Sequence, residues 1–227
     1  MVSEMKHNFL YLVWKDPLTR RNYTVGKLSK NDGYSFEYYG EYKLAIKAGW
    51  DYIKSFPSAK IYRSDTLFTA FSSRLPDKKR RDIAKVLEKY GLSEYDGFEL
   101  LRRSGGRLPI DSYEFVEPLK CDEENINKDF YIVGVRHDAD CVGENCANFN
   151  KVSIGMELAL LPQPENKHDD NAVLVCIPPA TPLGYIPRYY SEDVSAVIRR
   201  GGQYTCTIIE KNNSGDCHDC IKVRLVM

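Results

Sequence analysis

A polar, acidic run from Glu117 to Asn127 (EPLKCDEENIN) limits most strongly what this 227-residue chain can fold into. It holds too few apolar residues to enter a core, so it reads as a connection between elements. The hydrophobic pattern differs on its two sides. Before it, short apolar runs give way to helical spacings, and after it strand-like runs recur. A chain of this length suits one large domain or two small ones. The break selects two, at residues 1–117 and 130–227, with 118–129 as linker.

In the first part, Phe9–Lys15, Tyr23–Leu28 and Tyr34–Tyr39 are short, largely apolar runs separated by polar turns, a spacing that predicts a small meander. Helices are predicted next. DTLFTAFSSRL, opened by Asp65, puts Leu67, Phe68, Phe71 and Leu75 on one face. Asp77 can cap KKRRDIAKVLEKY, which Gly91 ends, and Asp96 can start GFELLRRSG. Tyr113–Val116 returns to strand. The fold class is therefore an α+β domain, a small antiparallel sheet plus helices.

The second part reads as mostly β. Six candidate strands lie at Phe130–Val135, Met156–Leu161, Ala172–Ile177, Leu183–Ile186, Tyr204–Ile209 and Ile221–Val226, with one short helix at about Ser191–Arg200. Six short strands and one helix suggest a small barrel.

The net charge is zero, but the parts differ: residues 1–117 carry +5 and residues 118–227 carry −5. Whole-chain charge thus gives no support for nucleic-acid binding, and any such site must rest on local chemistry. No apolar run reaches the length of a membrane span, and the N-terminus is read as folded protein rather than a signal peptide. Seven Cys, an odd number, without an export signal point to a reducing cytoplasm. Cys141 and Cys146, with Cys217 and Cys220, could hold Zn²⁺ if their loops meet. Free or structural thiols are the first reading, and no cofactor is required.

Three segments of the second part carry a resemblance. They are Val133-Gly134-Val135-Arg136-His137, then Leu161 to Val175 (LPQPENKHDDNAVLV), then Leu183-Gly184-Tyr185-Ile186-Pro187-Arg188 before the short helix. Their order and the central Pro164-Glu165-Asn166-x-x-Asp169-x-Asn171-Ala172 resemble the HIRAN domain over nearly all of residues 130–227. Gln163 departs from the family, which usually has Glu there. The resemblance implies an OB/SH3-like barrel that holds the 3′ end of single-stranded DNA. A carboxylate would accept a hydrogen bond from the terminal hydroxyl, planar side chains would stack on the terminal base, and cations would meet the last phosphates. Asp169 matches the carboxylate position and His168 a position that is Tyr in the fork-remodelling helicases. Arg136 and His137 match an Arg–aromatic pair, and Tyr185 and Arg188 an aromatic and a basic position. Read without the family, Asn166, Asp169 and Asn171 are turn residues whose side chains bond nearby backbone.

Residues 8–117 resemble, more weakly, the N-terminal subdomain of HipA-type toxin kinases. The match runs through Ser64 to Asp77, the Leu92–Leu101 stretch and the closing Gly105–Val116. The kinase core is absent from the sequence, and so is a Gly-x-x-x-x-Gly-Lys-Ser/Thr loop. The resemblance implies docking on a HipA-type kinase-core toxin, a helix-turn-helix repressor, or both, in a bacterial toxin–antitoxin or phage-defence setting. The chain is thus expected to be a non-enzymatic DNA-binding regulator, with an antitoxin-like interaction module that binds no DNA as the alternative. Lys78-Lys79-Arg80-Arg81 reads first as a solvated helix face and second as a phosphate-binding patch. Trp14 reads as core and Trp50 as an interface anchor.

Overall fold

The computed structural model describes residues 8–19, 21–119, 126–135, 147–212 and 220–227. The chain divides into two compact units, Met1–Pro118 and Leu119–Met227.

The first unit is built on a five-stranded antiparallel sheet. Its strands are β1 (Phe9–Lys15), β2 (Asn22–Lys30), β3 (Tyr34–Tyr38), β4 (Tyr62–Ser64) and β5 (Tyr113–Val116), in the order β4-β3-β2-β1-β5. Strict alternation would send Tyr23, Val25 and Leu28 to different faces. Between Leu12 and Val13 the β1–β2 register shifts by one residue, and that bulge lets all three join one core. Gly26 lies where a Cβ would stand 2.5 Å from the Phe36 ring, so only glycine admits that ring against β2. Phe36 meets Tyr38, Phe56 and Phe71 at centroid distances of 4.6 to 5.3 Å, within the range of favourable aromatic pairs.

Among the described residues four short helices accompany the sheet: α1 (Tyr42–Lys47), α2 (Thr69–Ser72), α3 (Ile83–Lys89) and α4 (Gly97–Ser104). Asp96 caps α4 by accepting from the amides of Phe98 and Glu99, and Gly105, at φ 72°, ends it. The helix expected from Asp65 is one turn only, starting at Thr69. The helix expected after Asp77 starts at Ile83 instead. Asp77 closes a turn, accepting from Lys79 N at 2.8 Å, so the basic run stands on turns. Trp50 is no exposed anchor: it is buried, and its indole N–H donates to Tyr113 Oη at 2.6 Å.

The second unit holds two three-stranded antiparallel sheets. One has the order β10-β11-β6, made of β6 (Asn127–Tyr131), β10 (Thr205–Lys211) and β11 (Ile221–Val226). The other is β7-β8-β9, made of β7 (Ala159–Pro162), β8 (Val173–Ile177) and β9 (Thr181–Tyr185). Two isolated bridges join their edges, Val133 to Tyr185 and Glu157 to Thr207. The bridges close the six strands into a ring, the mostly-β barrel that the sequence predicted. Ile132, Val173, Val175, Leu183, Ile208, Ile221 and Val223 fill it. Among the described residues, α5 (Ala147–Lys151) and α6 (Arg188–Arg199) accompany the strands. The latter buries Tyr190, Ser191, Val194 and Ser195, a face of helical spacing, and packs on β7 and β8.

Candidate functional site

The connection between β7 and β8, residues 163–172, is polar and hydrogen-bonded to itself. Gln163 N reaches Ala172 O at 2.8 Å and closes its neck. Asn166 Oδ1 accepts from His168 N at 3.0 Å, and Asp169 Oδ1 accepts from Asn171 N at 3.0 Å. Local side chain–backbone bonds of this kind explain why Asn and Asp dominate the segment. They hold a compact loop at the mouth of the barrel.

The helix α6 holds this loop from the side. Ser191, itself buried, donates its hydroxyl to Asp169 Oδ2 at 2.8 Å. Arg188, in the first turn, donates to the carbonyl of His168. Arg199, in the last turn, donates to the carbonyl of Asp170 at 3.0 Å. Residues 188, 191 and 199 are spaced by three and eight, so they share one helical face. The result is a clasp: three side chains from one helix on three consecutive loop residues.

Tyr185, at the end of β9, is half-buried beside the same loop. Its hydroxyl donates to Gln163 Oε1 at 3.2 Å, which also accepts from Asn166 Nδ2 at 3.3 Å. Gly134, at φ 74°, lies against the Tyr185 ring, where a Cβ would come within 3.1 Å. A larger residue at 134 would displace the ring.

Of the residues read from the sequence, His168, Asp169, Tyr185 and Arg188 therefore come together around one loop. His168 is exposed, and Asp169, Tyr185 and Arg188 are half-buried. Arg136 and His137 lie outside the described residues, as do Cys141, Cys146 and Cys217 of the expected zinc cluster. Cys220, the fourth, is buried next to β11. Among the described residues no group of three His, Cys, Asp or Glu side chains is arranged to hold a metal ion. Among them, too, no helix is long and apolar enough to cross a membrane.

Sequence reasoning did not find Ser191, or the carbonyls that Arg188 and Arg199 engage. Partners 20 to 29 residues apart leave no local pattern. Tyr189 was missed as well. It follows Arg188, is half-buried, and packs edge-on to Tyr190 at 4.5 Å.

The site's electrostatics are mixed. Lys167, Arg188, Arg199 and Arg200 are interleaved with Glu165, Asp169, Asp170, Glu192 and Asp193. Among the described residues this is no cationic funnel, in keeping with the charge of −5 over residues 118–227.

Comparison with known proteins gives two family matches. Residues 127–226 match the family model of the HIRAN domain, and residues 19–109 match that of the HipA N-terminal domain. Two solved structures are similar to part of the chain. A protein from Lactobacillus plantarum aligns at 22% identity over 45% of this chain and 95% of its own, with a TM-score of 0.38. The HIRAN domain of human HLTF aligns at 16% identity over 44% of this chain and 73% of its own, with a TM-score of 0.35. A search of curated proteins finds no match.

Proposed function

From a chain that joins a HIRAN domain to a HipA N-terminal domain, we propose a non-catalytic, DNA-binding regulator of a HipA-type toxin–antitoxin or phage-defence system. The second domain would recognise the 3′ end of single-stranded DNA. The first would dock on a HipA-type kinase core, a helix-turn-helix repressor, or both. The activity is binding, with no chemical step and no cofactor, and its setting would be the bacterial cytoplasm.

The observation that carries this reading is the clasped loop. It gathers a carboxylate, an aromatic ring, an imidazole and a guanidinium at residues 169, 185, 168 and 188, within the segment that matches the HIRAN family. These are the group types that a strand terminus needs: an acceptor for the hydroxyl, a flat surface for the base and a cation for phosphate. Asp169 has both oxygens engaged by the protein, and each carboxylate oxygen accepts more than one hydrogen bond. An external hydroxyl can therefore be added without breaking the latch to Ser191.

The test compares single strands that end in a 3′-hydroxyl or a 3′-phosphate, by fluorescence anisotropy with the full chain. The hydroxyl end should bind more tightly. Asp169→Asn keeps an acceptor for Ser191 but loses the charge, so the preference should fall by about fivefold, roughly the difference between a charge-assisted and a neutral bond. Equal binding of both ends by the unaltered protein would remove end recognition.

One observation favours the alternative of an interaction module that binds no DNA. The guanidinium groups of Arg188 and Arg199 serve loop carbonyls. Absence of single-strand binding even at low salt, where phosphate contacts are strongest, would establish that alternative.

A further inference from the structure

The proposed function leaves one concentrated piece of chemistry in the first domain unused. Between Lys78 and Lys89 there are six Lys or Arg against two acids, so this short segment carries +4, most of the +5 of residues 1–117. All six cations are exposed. Lys78 to Arg81 stand on turns, and Lys85 and Lys89 follow on α3. The last two are four apart and so share a helix face.

Ion pairing does not account for the cluster. Among the described residues Arg80 alone of the six has a carboxylate partner, Asp82, at 2.9 and 2.8 Å. Lys78, Lys79, Arg81, Lys85 and Lys89 have none in that set. Packing does not account for it either, because α3 seats itself through Leu87, with Ile83 and Val86 half-buried. At the far end of α3 the cluster gains an aromatic ring and a further cation. Lys89 Nζ lies 5.6 Å from the Tyr90 ring centroid, and Arg103 Nη1 donates to the Tyr90 carbonyl at 3.1 Å.

Like charges packed this closely repel one another, and a polyanion relieves that repulsion while releasing its own counterions. An aromatic ring among cations adds a surface on which a base can stack. We propose that Lys78, Lys79, Arg81, Lys85 and Lys89, with Tyr90 and Arg103, form a sequence-independent docking site for the phosphate backbone of a nucleic-acid strand. The proposal rests on the DNA-binding reading of the second domain. It supplies what that acidic domain lacks, an attraction for polyanions that acts at a distance. Joined in one chain, the basic site raises the effective concentration of the strand for the end-binding loop.

The experiment uses the full chain and a fluorescein-labelled oligothymidine, with a 3′-hydroxyl or a 3′-phosphate, over a salt series. The variant K78Q/K79Q/R81Q/K85Q should bind both strands about tenfold more weakly near physiological salt. The slope of log affinity against log salt should fall by about 2 to 3, at roughly 0.7 for each phosphate that is no longer neutralised. The ratio between the two ends should not change. Replacing Lys78, Lys79 and Lys85 with Arg should keep the slope.

The control K43Q/K47Q/K54Q/K60Q removes the same charge from exposed lysines outside the segment, and it should leave the slope unaltered. An equal fall in that control would overturn the proposal, because net charge would then explain the effect. An unaltered slope in the first variant, with the end preference intact, would overturn it while leaving the DNA-binding reading standing. Failure of the unaltered protein to bind either strand, including the case in which it binds only anionic lipid vesicles, would overturn both.

Discussion

At the scale of single residues, the second domain has, among the described residues, one buried side-chain polar atom without a partner. Ser195 Oγ is buried, and no hydrogen-bond partner lies near it among the described residues. An unsatisfied buried hydroxyl costs about 1–3 kcal/mol. Ser195→Ala should therefore stabilise the second domain by about 1 kcal/mol, read from urea denaturation followed by circular dichroism. A loss of stability would mean that the hydroxyl is bonded in the folded state after all. Its neighbour one turn earlier, Ser191, is the opposite case. Its hydroxyl lies within reach of two acceptors, Asp169 Oδ2 at 2.8 Å and the Arg188 carbonyl at 2.9 Å, so the same substitution there should loosen the loop. Burial acts on sulfur as well. It pushes the Cys206 thiol up to about 12, so the reactive thiolate is scarce at neutral pH. Peptide mapping after iodoacetamide should find Cys206 unmodified in the native protein and modified in denaturant. Native labelling of Cys206 would contradict its place in the core. The residues of the site were legible in the sequence where they sit in one contiguous motif, as His168 and Asp169 do, or in the next, as Tyr185 and Arg188 do. Ser191 was illegible because nothing about a serine in a helix announces a partner 22 residues earlier.

At the scale of elements, α4 shows how a cap can also be a tie. Asp96 accepts from two amides of the helix and from Lys30 Nζ of β2 at 2.7 Å. Partial burial works against its ionisation, but the Lys30 ammonium and the two amides outweigh it and hold the carboxyl below its ordinary 3.8. A depressed carboxyl contributes stability that is complete above the ordinary value. That stability is lost as pH falls from there through the lower folded value. The pair is partly exposed, and such pairs contribute up to about 1 kcal/mol. Asp96→Asn keeps the cap and removes the pair. It should destabilise the first domain by about 0.5–1 kcal/mol at neutral pH, and the difference from the parent should vanish in strong acid. A difference that persists there would rule out the ion pair as its source. Trp14 and Trp50 are the only tryptophans in the chain and both lie in the first domain, so their fluorescence isolates this transition. Elements with a strong local signal were the readable ones. Short strand-like runs revealed the strands of the barrel, and Asp96 before GFELLRRSG marked the start of α4. The three residues of β4 and the six of α1 are too short to show a period. The helices expected from Asp65 and Asp77 came out short. An Asp before a hydrophobic run marks a turn as readily as a helix, and Asp77 makes the turn.

At the scale of the whole molecule, the chain separates opposite charges into its two units. Pattern alone placed that division, because it depends on composition over tens of residues rather than on any single pair of side chains. It could not show how the barrel closes, since the seams at Val133–Tyr185 and Glu157–Thr207 are single bridges between segments far apart in sequence. The clasp on the 163–172 loop has a kinetic consequence. On the proposed function, a phosphate arriving at Arg188 or Arg199 would meet a guanidinium that already shares part of its five N–H donors with carbonyls of its own chain. Such a contact adds less than one made with every donor at its disposal, and a complex built on it would dissociate sooner. A sensor of this design would sample many strand termini briefly and remain only where something else holds the strand in place.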